Sequence, residues 1–249
     1  MKWTFDSDSG VRIIPAECKD CNENCCKSCI ESNALNVFKS LTKEELDALV
    51  GNKQHIKFRA GETILKQNTD SSHFICVRKG LAKLYIEGSR DKNLILKIIR
   101  DSDIIISGGI LSKSTRPFTV SAITDLDCCF INIDKVTNLL LANPGFAAAF
   151  FGKYHQQYNQ IFGILVNLTQ KYMPGRVADT LIYLKNQVLF SNPFIVPLSR
   201  QELAEMSAMT KESLVRILTE FKHSNIIRTE GRKIEILDEQ ALTEISKNG

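Results

Sequence analysis

The chain of 249 residues contains no apolar run that approaches the ~20 residues needed to cross a bilayer. Its first ten residues have no basic stretch followed by an apolar core, so we expect no export signal, no membrane partner and a cytoplasmic protein. The net charge is only +4, from 32 basic and 28 acidic side chains. A charge this small neither requires nor excludes a nucleic-acid partner.

Signatures of catalysis are missing from the sequence as well. No phosphate-binding loop, nucleophile–base motif or paired-carboxylate motif stands out. The four histidines have no ligand spacing with one another, and no C-x-x-C-H sequence for haem attachment is present. We therefore expect that the protein is not an enzyme.

Cysteine, in contrast, is concentrated near the N-terminus. Five of the eight cysteines lie in the twelve residues C-K-D-C-N-E-N-C-C-K-S-C, as Cys18, Cys21, Cys25, Cys26 and Cys29. In a reducing compartment such clusters hold metals or do redox chemistry more often than they form structural disulfides. Four thiolates satisfy a structural zinc site or an iron–sulfur cluster, and a metal-free arm that forms reversible disulfides is a third alternative.

A barrel is predicted from about residue 54 to residue 133, where short apolar runs alternate with turn residues. The eight predicted strands are Ile56–Phe58, Thr63–Leu65, Phe74–Val77, Ala82–Ile86, Leu94–Ile99, Asp103–Ile106, Phe118–Ile123 and Cys128–Ile133. Strands of this length and spacing indicate a compact antiparallel barrel or jelly roll. Gly61 and Gly80 fall at its predicted turns. A short helix over Leu41–Val50 precedes it, with a capping box formed by Thr42 and Glu45.

A long helix is predicted from about Pro144 to Tyr172. Its large apolar residues are spaced three and four apart, as Phe151, Tyr154, Tyr158, Ile161, Leu165, Leu168 and Tyr172. This a/d seam favours pairing with the same helix of a second copy, hence a homodimer. Packing of the helix on its own barrel is the alternative. The sequence Met173-Pro174-Gly175 then breaks the pattern and marks a domain boundary.

The remaining residues have the pattern of a winged helix-turn-helix. The predicted elements are a helix over Arg176–Phe190, a strand over Phe194–Leu198, a short helix with a capping box at Ser199 and Glu202, a tight turn near Ser207–Met209, a second helix capped by Thr210, and a hairpin of Ile226–Thr229 with Lys233–Leu237. The second helix is amphipathic. Its predicted buried residues are Leu214, Ile217, Leu218 and Phe221, which leaves Lys211, Glu212, Val215, Arg216 and Thr219 outside.

The outer face of the second helix carries side chains of the types that can read DNA bases. Arginine pairs with guanine and glutamate with the cytosine amino group in the major groove. Glu212 and Arg216 lie one turn apart, so they would reach adjacent bases together. An ordinary surface salt bridge between them is the alternative interpretation.

This combination resembles the CRP/FNR family of bacterial transcription regulators over nearly the whole chain. The strongest match is L-S-R-Q-E-L-A-E-M-S-A-M-T-K-E-S-L-V-R-I-L, from Leu198 to Leu218. The resemblance implies an α+β fold with a cyclic-nucleotide-binding-like jelly-roll barrel, a long dimerisation helix and a winged helix-turn-helix. The implied domains are a cysteine-rich sensor arm over residues 1–32, the barrel over 33–142, the dimerisation helix over 143–173 and the DNA-binding domain over 174–249.

By this resemblance Glu212 and Arg216 read the bases of a palindromic double-stranded operator. The other implied DNA-binding residues are Lys211, Ser213, Arg200 and Thr210. RNA polymerase is the further implied partner. Two positions depart from the family pattern: Val215 stands where the oxygen-sensing branch usually has serine, and Ala208 where many members have the turn glycine.

Some members of the family bind cyclic AMP in the barrel. The corresponding positions resemble Ile106-Ser107 and Arg116-Pro117, and the family's glycine, glutamate and hydroxyl are missing there. A cyclic AMP ligand is therefore not expected, and the signal is expected to act at the arm.

Other members sense oxygen through a [4Fe–4S] cluster held by three N-terminal cysteines and one in the barrel. The resemblance implies Cys18, Cys21, Cys29 and Cys129 as ligands, with Cys25 and Cys26 as alternatives for the third position and zinc as the alternative metal. Neighbouring side chains of a strand point to opposite faces, so only one of Cys128 and Cys129 can face the arm.

The predicted function is a DNA-binding transcription regulator that responds to a redox, oxygen or related signal through this cysteine cluster. The alternative is a metal-binding or thiol-redox protein whose helix-turn-helix is not used for specific DNA recognition. Cys76 is expected to be a small core residue rather than a ligand.

Overall fold

The computed structural model describes residues 36–51, 53–70, 72–89, 92–106 and 115–249. The predicted arm cysteines, from Cys18 to Cys29, lie outside the described residues, as does Ser107. The described residues fall into two compact units, one of residues 36–84 with 99–159 and one of residues 85–98 with 160–249. Within these ranges no helix has the length and apolarity that crossing a membrane requires.

Two four-stranded antiparallel sheets form the predicted barrel. Their strands are β1 (Gln54–Phe58), β2 (Thr63–Leu65), β3 (His73–Lys79), β4 (Ala82–Ile86), β5 (Leu94–Ile99), β6 (Ile104–Ile105), β7 (Thr119–Ala122) and β8 (Leu126–Asn132). The strand order is β1-β8-β3-β6 in the first sheet and β2-β7-β4-β5 in the second. All eight predicted strands are present, although the sixth is shorter than predicted and Ile133, the predicted end of the eighth, begins a helix. Gly61 and Gly80 have the positive φ angles, 89° and 103°, that their turns need.

The first sheet buries a different set of residues on each face, because side chains alternate along a strand. One face points into the barrel core with Ile75, Val77, Leu126, Cys128 and Phe130. The other face carries Phe74, Ile104 and Ile131, which pack against a 3-10 turn (Asn36–Phe38) and the helices α1 (Lys43–Val50), α2 (Ile133–Ala142) and α3 (Pro144–Gln170). The predicted capping box of α1 is present, with Glu45 N–H donating to Thr42 Oγ1 at 3.2 Å.

The long helix α3 ends two residues before the predicted Tyr172. The buried residues of this helix, Phe146 and Phe150, lie in its first turns and pack on the outer face of the first sheet. The predicted break in the helical pattern is present, but the next helix begins at Met173 rather than at the predicted Arg176, so Met173-Pro174-Gly175 form its first turn. Proline is tolerated there because the first helical N–H groups have no partner within the helix.

The C-terminal residues form a winged helix-turn-helix. Its elements are α4 (Met173–Tyr183), a π-helical segment (Leu184–Leu189), β9 (Phe194–Ile195), α5 (Arg200–Met206), α6 (Lys211–His223), β10 (Ile227–Glu230), β11 (Lys233–Ile236) and α7 (Glu239–Asn248). The wing strands join a three-stranded sheet of order β10-β11-β9. The strand predicted from Phe194 is shorter than expected, and α7, which packs on α4, was not predicted.

Candidate DNA-binding surface and cysteine face

Helix α6 is held by its buried side, which leaves a polar side exposed. Thr210 caps the helix by accepting the Ser213 N–H at 3.3 Å. The four residues predicted to be buried are at most 6% exposed, namely Leu214, Ile217, Leu218 and Phe221. The residues predicted to lie outside are exposed: Lys211, Glu212, Val215, Arg216 and Thr219. Ser213 is half-buried. The exposed side therefore offers two cations and one carboxylate near the start of the helix.

Arg216 and Glu212 have different neighbours. The Arg216 guanidinium is 64% exposed and lies 3.9 Å from the Glu220 carboxylate, one turn further along the helix. Glu212 lies at the start of the helix, where backbone hydrogen bonding and the Thr210 hydroxyl lower the pKa of its carboxyl. An exposed ion pair with this separation contributes little to stability. The planar fork of donors on the Arg216 guanidinium therefore stays available to a ligand.

The turn between α5 and α6 is fixed by side chains of α4. Ala208 has φ = 49°, which explains why glycine is common at this position in the family pattern. The Arg176 guanidinium donates to the Ala208 carbonyl at 3.0 Å. Beside the turn, the hydroxyls of Thr180 and Ser207 are 2.9 Å apart in a buried hydrogen bond. These contacts set the position of α6 relative to α4.

Arg200 anchors the wing. Its Nη2 donates to the Gly231 carbonyl at 2.8 Å, and burial together with the nearby Arg232 lowers the pKa of its guanidinium. Arg232 in turn donates through Nε to the Val196 carbonyl at 3.1 Å. Of the sequence-predicted DNA-binding residues, Arg200 and Thr210 therefore have structural contacts of their own, whereas Lys211, Glu212 and Arg216 project into solvent.

The predicted seam of α3 is an exposed apolar stripe. Phe151, Tyr154, Tyr158, Ile161, Leu165 and Tyr172 are between 40% and 78% exposed, and Leu168 is half-buried. Two more exposed apolar residues, Phe162 (54%) and Val166 (47%), widen the stripe. These two residues were not predicted to belong to the seam because they fall outside the strict a/d positions, although each directly follows a seam residue.

The outer face of the first sheet brings together two thiols and an imidazole. Cys129 pairs in register with His55 on one side and with Cys76 on the other, and directly opposed residues point to the same face of a sheet. Cys129 is 5% exposed, Cys76 is half-buried and His55 is exposed. His55 also contacts the Asp127 carboxylate, which accepts a 2.7 Å hydrogen bond from Arg78. Sequence reasoning missed this grouping, since only the register of the strands reveals it.

Cys128 lies on the opposite face and differs chemically. It is fully buried in the barrel core. Burial, and then the negative charge of Asp127, raise the pKa of its thiol to about 12. Because it points into the core, its thiol cannot meet ligands that approach the outer face of the sheet. Of the two adjacent cysteines, Cys129 is the one on the face where the chain following the arm packs, through Val37 and Phe38.

Within the described ranges, including this face, no group of three His, Cys, Asp or Glu side chains is arranged so that it could hold a metal ion. A site that includes Cys129 would therefore have to draw its other ligands from elsewhere in the chain. A set of four cysteines, which zinc or an iron–sulfur cluster takes, would need three thiols besides Cys129, and the predicted arm cysteines lie outside the described residues.

Arg116, at the position that resembles the cyclic AMP phosphate site, is held by groups of the barrel itself. It is 5% exposed. Its Nη1 donates to Thr69 Oγ1 at 2.9 Å, and its Nη2 donates to the Asp70 carbonyl at 2.5 Å. These hydrogen bonds to Thr69 and Asp70 thus hold the Arg116 guanidinium in place.

Comparisons with known proteins agree with this architecture. Residues 175–245 match the Crp-like helix-turn-helix domain and residues 55–143 the cyclic nucleotide-binding domain. The chain is 23% identical to the transcriptional activator protein FnrA of Stutzerimonas stutzeri over 90% of this chain and 89% of FnrA. It is 20% identical to the CRP-like cAMP-activated global transcriptional regulator of Mycobacterium tuberculosis, over 83% of this chain and 94% of that protein.

The solved structure of FixK2 from Bradyrhizobium japonicum has the same fold. It superposes with a TM-score of 0.71 at 17% identity, over 78% of this chain and 96% of FixK2. This combination of an antiparallel barrel, a long helix and a winged helix-turn-helix is the architecture of one class of DNA-binding regulators. With the two domain matches and the similarity to FnrA, the chain belongs to the CRP/FNR family of transcription regulators.

Proposed function

We propose that the protein is a homodimeric DNA-binding transcription regulator whose affinity for a palindromic operator is set by a redox or oxygen signal at the N-terminal cysteines. The observation that carries the DNA-binding part is the exposed side of α6, where Lys211, Glu212 and Arg216 project from a helix fixed by a buried opposite side. A helix presented in this way is what entry into the major groove requires.

Base reading is assigned to Glu212 and Arg216. Arg216 reads guanine through two parallel hydrogen bonds, and Glu212 accepts from the cytosine amino group. Lys211 and Ser213 contact the flanking backbone, where phosphate contacts fix the register of the helix. Arg200 and Thr210 act by holding the wing and the start of α6 in place.

The exposed stripe of α3 supports the homodimer. Helix packing on the protein's own barrel accounts for Phe146 and Phe150, but the seam from Phe151 to Tyr172 is left exposed. Apolar residues spaced three and four apart over this length fit a second copy of the same helix. A dimer also places two recognition helices on a palindrome, whose half-sites lie about one helical turn of DNA apart. RNA polymerase is the proposed partner of the DNA-bound dimer.

The cysteine signal site is assigned to Cys18, Cys21 and Cys129, with Cys29 as the third arm ligand. Cys129 faces the side of the sheet where the chain after the arm packs, whereas Cys128 is buried in the barrel core on the opposite side. A [4Fe–4S] cluster bound there would supply oxygen sensitivity, and zinc is the alternative occupant. The barrel is not assigned cyclic AMP.

The test uses two neighbouring cysteines as a matched pair. The full-length protein and its Cys129→Ser and Cys128→Ala variants are purified without oxygen, and iron, sulfide and zinc are measured per protomer. We expect Cys129→Ser to lose most of the bound metal and Cys128→Ala to keep it. Equal metal content in all three proteins would overturn the assignment of Cys129.

A second experiment separates this proposal from a metal or thiol protein that does not read DNA. The wild-type protein is used to select binding sites from a randomised duplex library. Enrichment of a palindrome supports the regulator. Metal binding or thiol redox activity without any enriched sequence would support the alternative function instead.

A further inference from the structure

Two thiols face one another across strands β3 and β8. Cys76 and Cys129 are direct register partners in this antiparallel pair, so their side chains share one face of the sheet. The Cα atoms of such partners lie about 4.5 or 5.5 Å apart, depending on the type of pair. Disulfides bridge Cα separations of about 4.4 to 6.8 Å. The Cα separation of either type of pair therefore lies within the range that a disulfide bridges.

The third thiol in this sheet is excluded by the same geometry. Cys128 pairs in register with Val77, and both point into the barrel core. It is next to Cys129 in the chain but on the other side of the sheet. The pair formed by Cys76 and Cys129, called the cross-strand dithiol below, is therefore specific among the described cysteines.

The two thiols of this dithiol differ in access from solvent. Cys76 is half-buried, whereas Cys129 is only 5% exposed. A small oxidant therefore reaches Cys76 first. Cys129 is placed to react second, with the Cys76 sulfur rather than with the oxidant.

We propose that the cross-strand dithiol is a redox modification site that hydrogen peroxide converts into a disulfide. In the first step the O–O bond of the peroxide breaks, the Cys76 thiol is oxidised to a sulfenic acid and one water is released. In the second step the Cys129 sulfur attacks the Cys76 sulfur, the S–S bond forms and a second water leaves. Two thiols and one peroxide thus give one disulfide and two waters.

The disulfide has a consequence that rests on the function proposed above. If Cys129 is a metal ligand, the disulfide removes it from the ligand set, because a disulfide sulfur no longer offers a thiolate. Peroxide and the metal then compete for the same cysteine. The formation of the disulfide itself does not depend on any metal, so the two proposals fail separately.

The experiment uses the metal-free, reduced full-length protein. After treatment with hydrogen peroxide, the remaining thiols are alkylated and the protein is digested with trypsin without reduction. Cys76 lies on the tryptic peptide of residues 67–78, and Cys128 and Cys129 both lie on the peptide of residues 114–135. Mass spectrometry measures the amount of the linked pair. Circular dichroism on the same samples establishes that each variant is folded.

We expect the linked pair of peptides in the wild-type protein and in Cys128→Ala. At least tenfold less of it is expected in Cys76→Ser and Cys129→Ser; Cys76→Ala replaces a serine variant that does not fold. Three results would overturn the proposal: no linked pair in folded wild-type protein, a linked pair that persists in Cys129→Ser, or Cys76 joined only to peptides of the arm.

Discussion

Replacement of Arg216 by alanine tests the proposed base reading, because the structure separates its effect on folding from its effect on DNA. The guanidinium is 64% exposed and its ion pair with Glu220 is 3.9 Å long. Exposed pairs of adjacent helical turns contribute about 0.3–0.5 kcal/mol. The free energy of unfolding should therefore change by no more than about 0.5 kcal/mol.

The effect on operator binding should be much larger. A bidentate contact between arginine and guanine is worth about 1–3 kcal/mol of discrimination, and a dimer makes it twice. The sum of about 2–6 kcal/mol corresponds to a loss of affinity of about 30-fold to 20,000-fold. Binding to unrelated duplex DNA should weaken far less, because that binding depends on charge rather than on base contacts.

The assay is fluorescence anisotropy at one fixed salt concentration, with the operator selected by the wild-type protein. Arg216→Lys keeps the charge but loses the planar fork, so it should bind the operator nearly as poorly as Arg216→Ala. Arg59→Ala removes the same charge from an exposed position of the barrel unit and should bind normally. Full operator affinity in Arg216→Lys, or an equal loss in Arg59→Ala, would refute base reading by Arg216.

Three further predictions concern dimerisation and stability. Ile161→Asp should raise the dissociation constant of the dimer at least ~30-fold in sedimentation experiments, because two half-exposed isoleucines each contribute about 1 kcal/mol on burial. Gln160→Asp is the control on the same helix, and an equal weakening of the dimer in this variant would argue against the seam. Ala208→Gly should raise the free energy of unfolding in urea by about 0.5–1 kcal/mol, since glycine tolerates φ = 49°, and a loss of stability would contradict this. Burial raises the pKa of Asp101 in the folded state, so its stabilising contribution is present below its unfolded pKa and is lost as pH rises through its folded pKa. Asp101→Asn keeps the acceptor for Gly80 N–H and should be more stable than wild type at pH 7 in urea, with a gap that closes on acidification; a gap independent of pH would contradict it.

The barrel and the winged helix-turn-helix could be predicted from local patterns. Strands and helices were predicted from apolar spacing, and their ends from capping and turn residues, all of which act over a few positions. The capping box at Ser199 and the turn at Gly80 are both present where they were predicted. The start of α4 was predicted too late because Pro174 both ends and begins helices, and only the surrounding chain decides which.

The grouping of Cys76, Cys129 and His55 on the outer face of the first sheet could not be predicted from local patterns. The proximity of Cys76 and His55 to Cys129 depends on the pairing of β1, β8 and β3, which are far apart in the sequence. Alternation along a strand predicted that Cys128 and Cys129 face opposite sides. Which of these two cysteines points into the core depends on how the whole sheet packs. The carboxylate that pairs with Arg216 could likewise not be predicted, because Glu212 and Glu220 both lie one helical turn away and only side-chain placement selects Glu220.

The most direct test of the central claim measures operator affinity and metal content on one sample before and after exposure to air. Wild-type protein purified without oxygen is divided, and one half is exposed. We expect air to lower the iron content and to change operator affinity at least tenfold, and we expect Cys129→Ser to have the same affinity in both halves. Loss of the metal with unchanged operator affinity in the wild-type protein would show that the cysteine site does not control DNA binding.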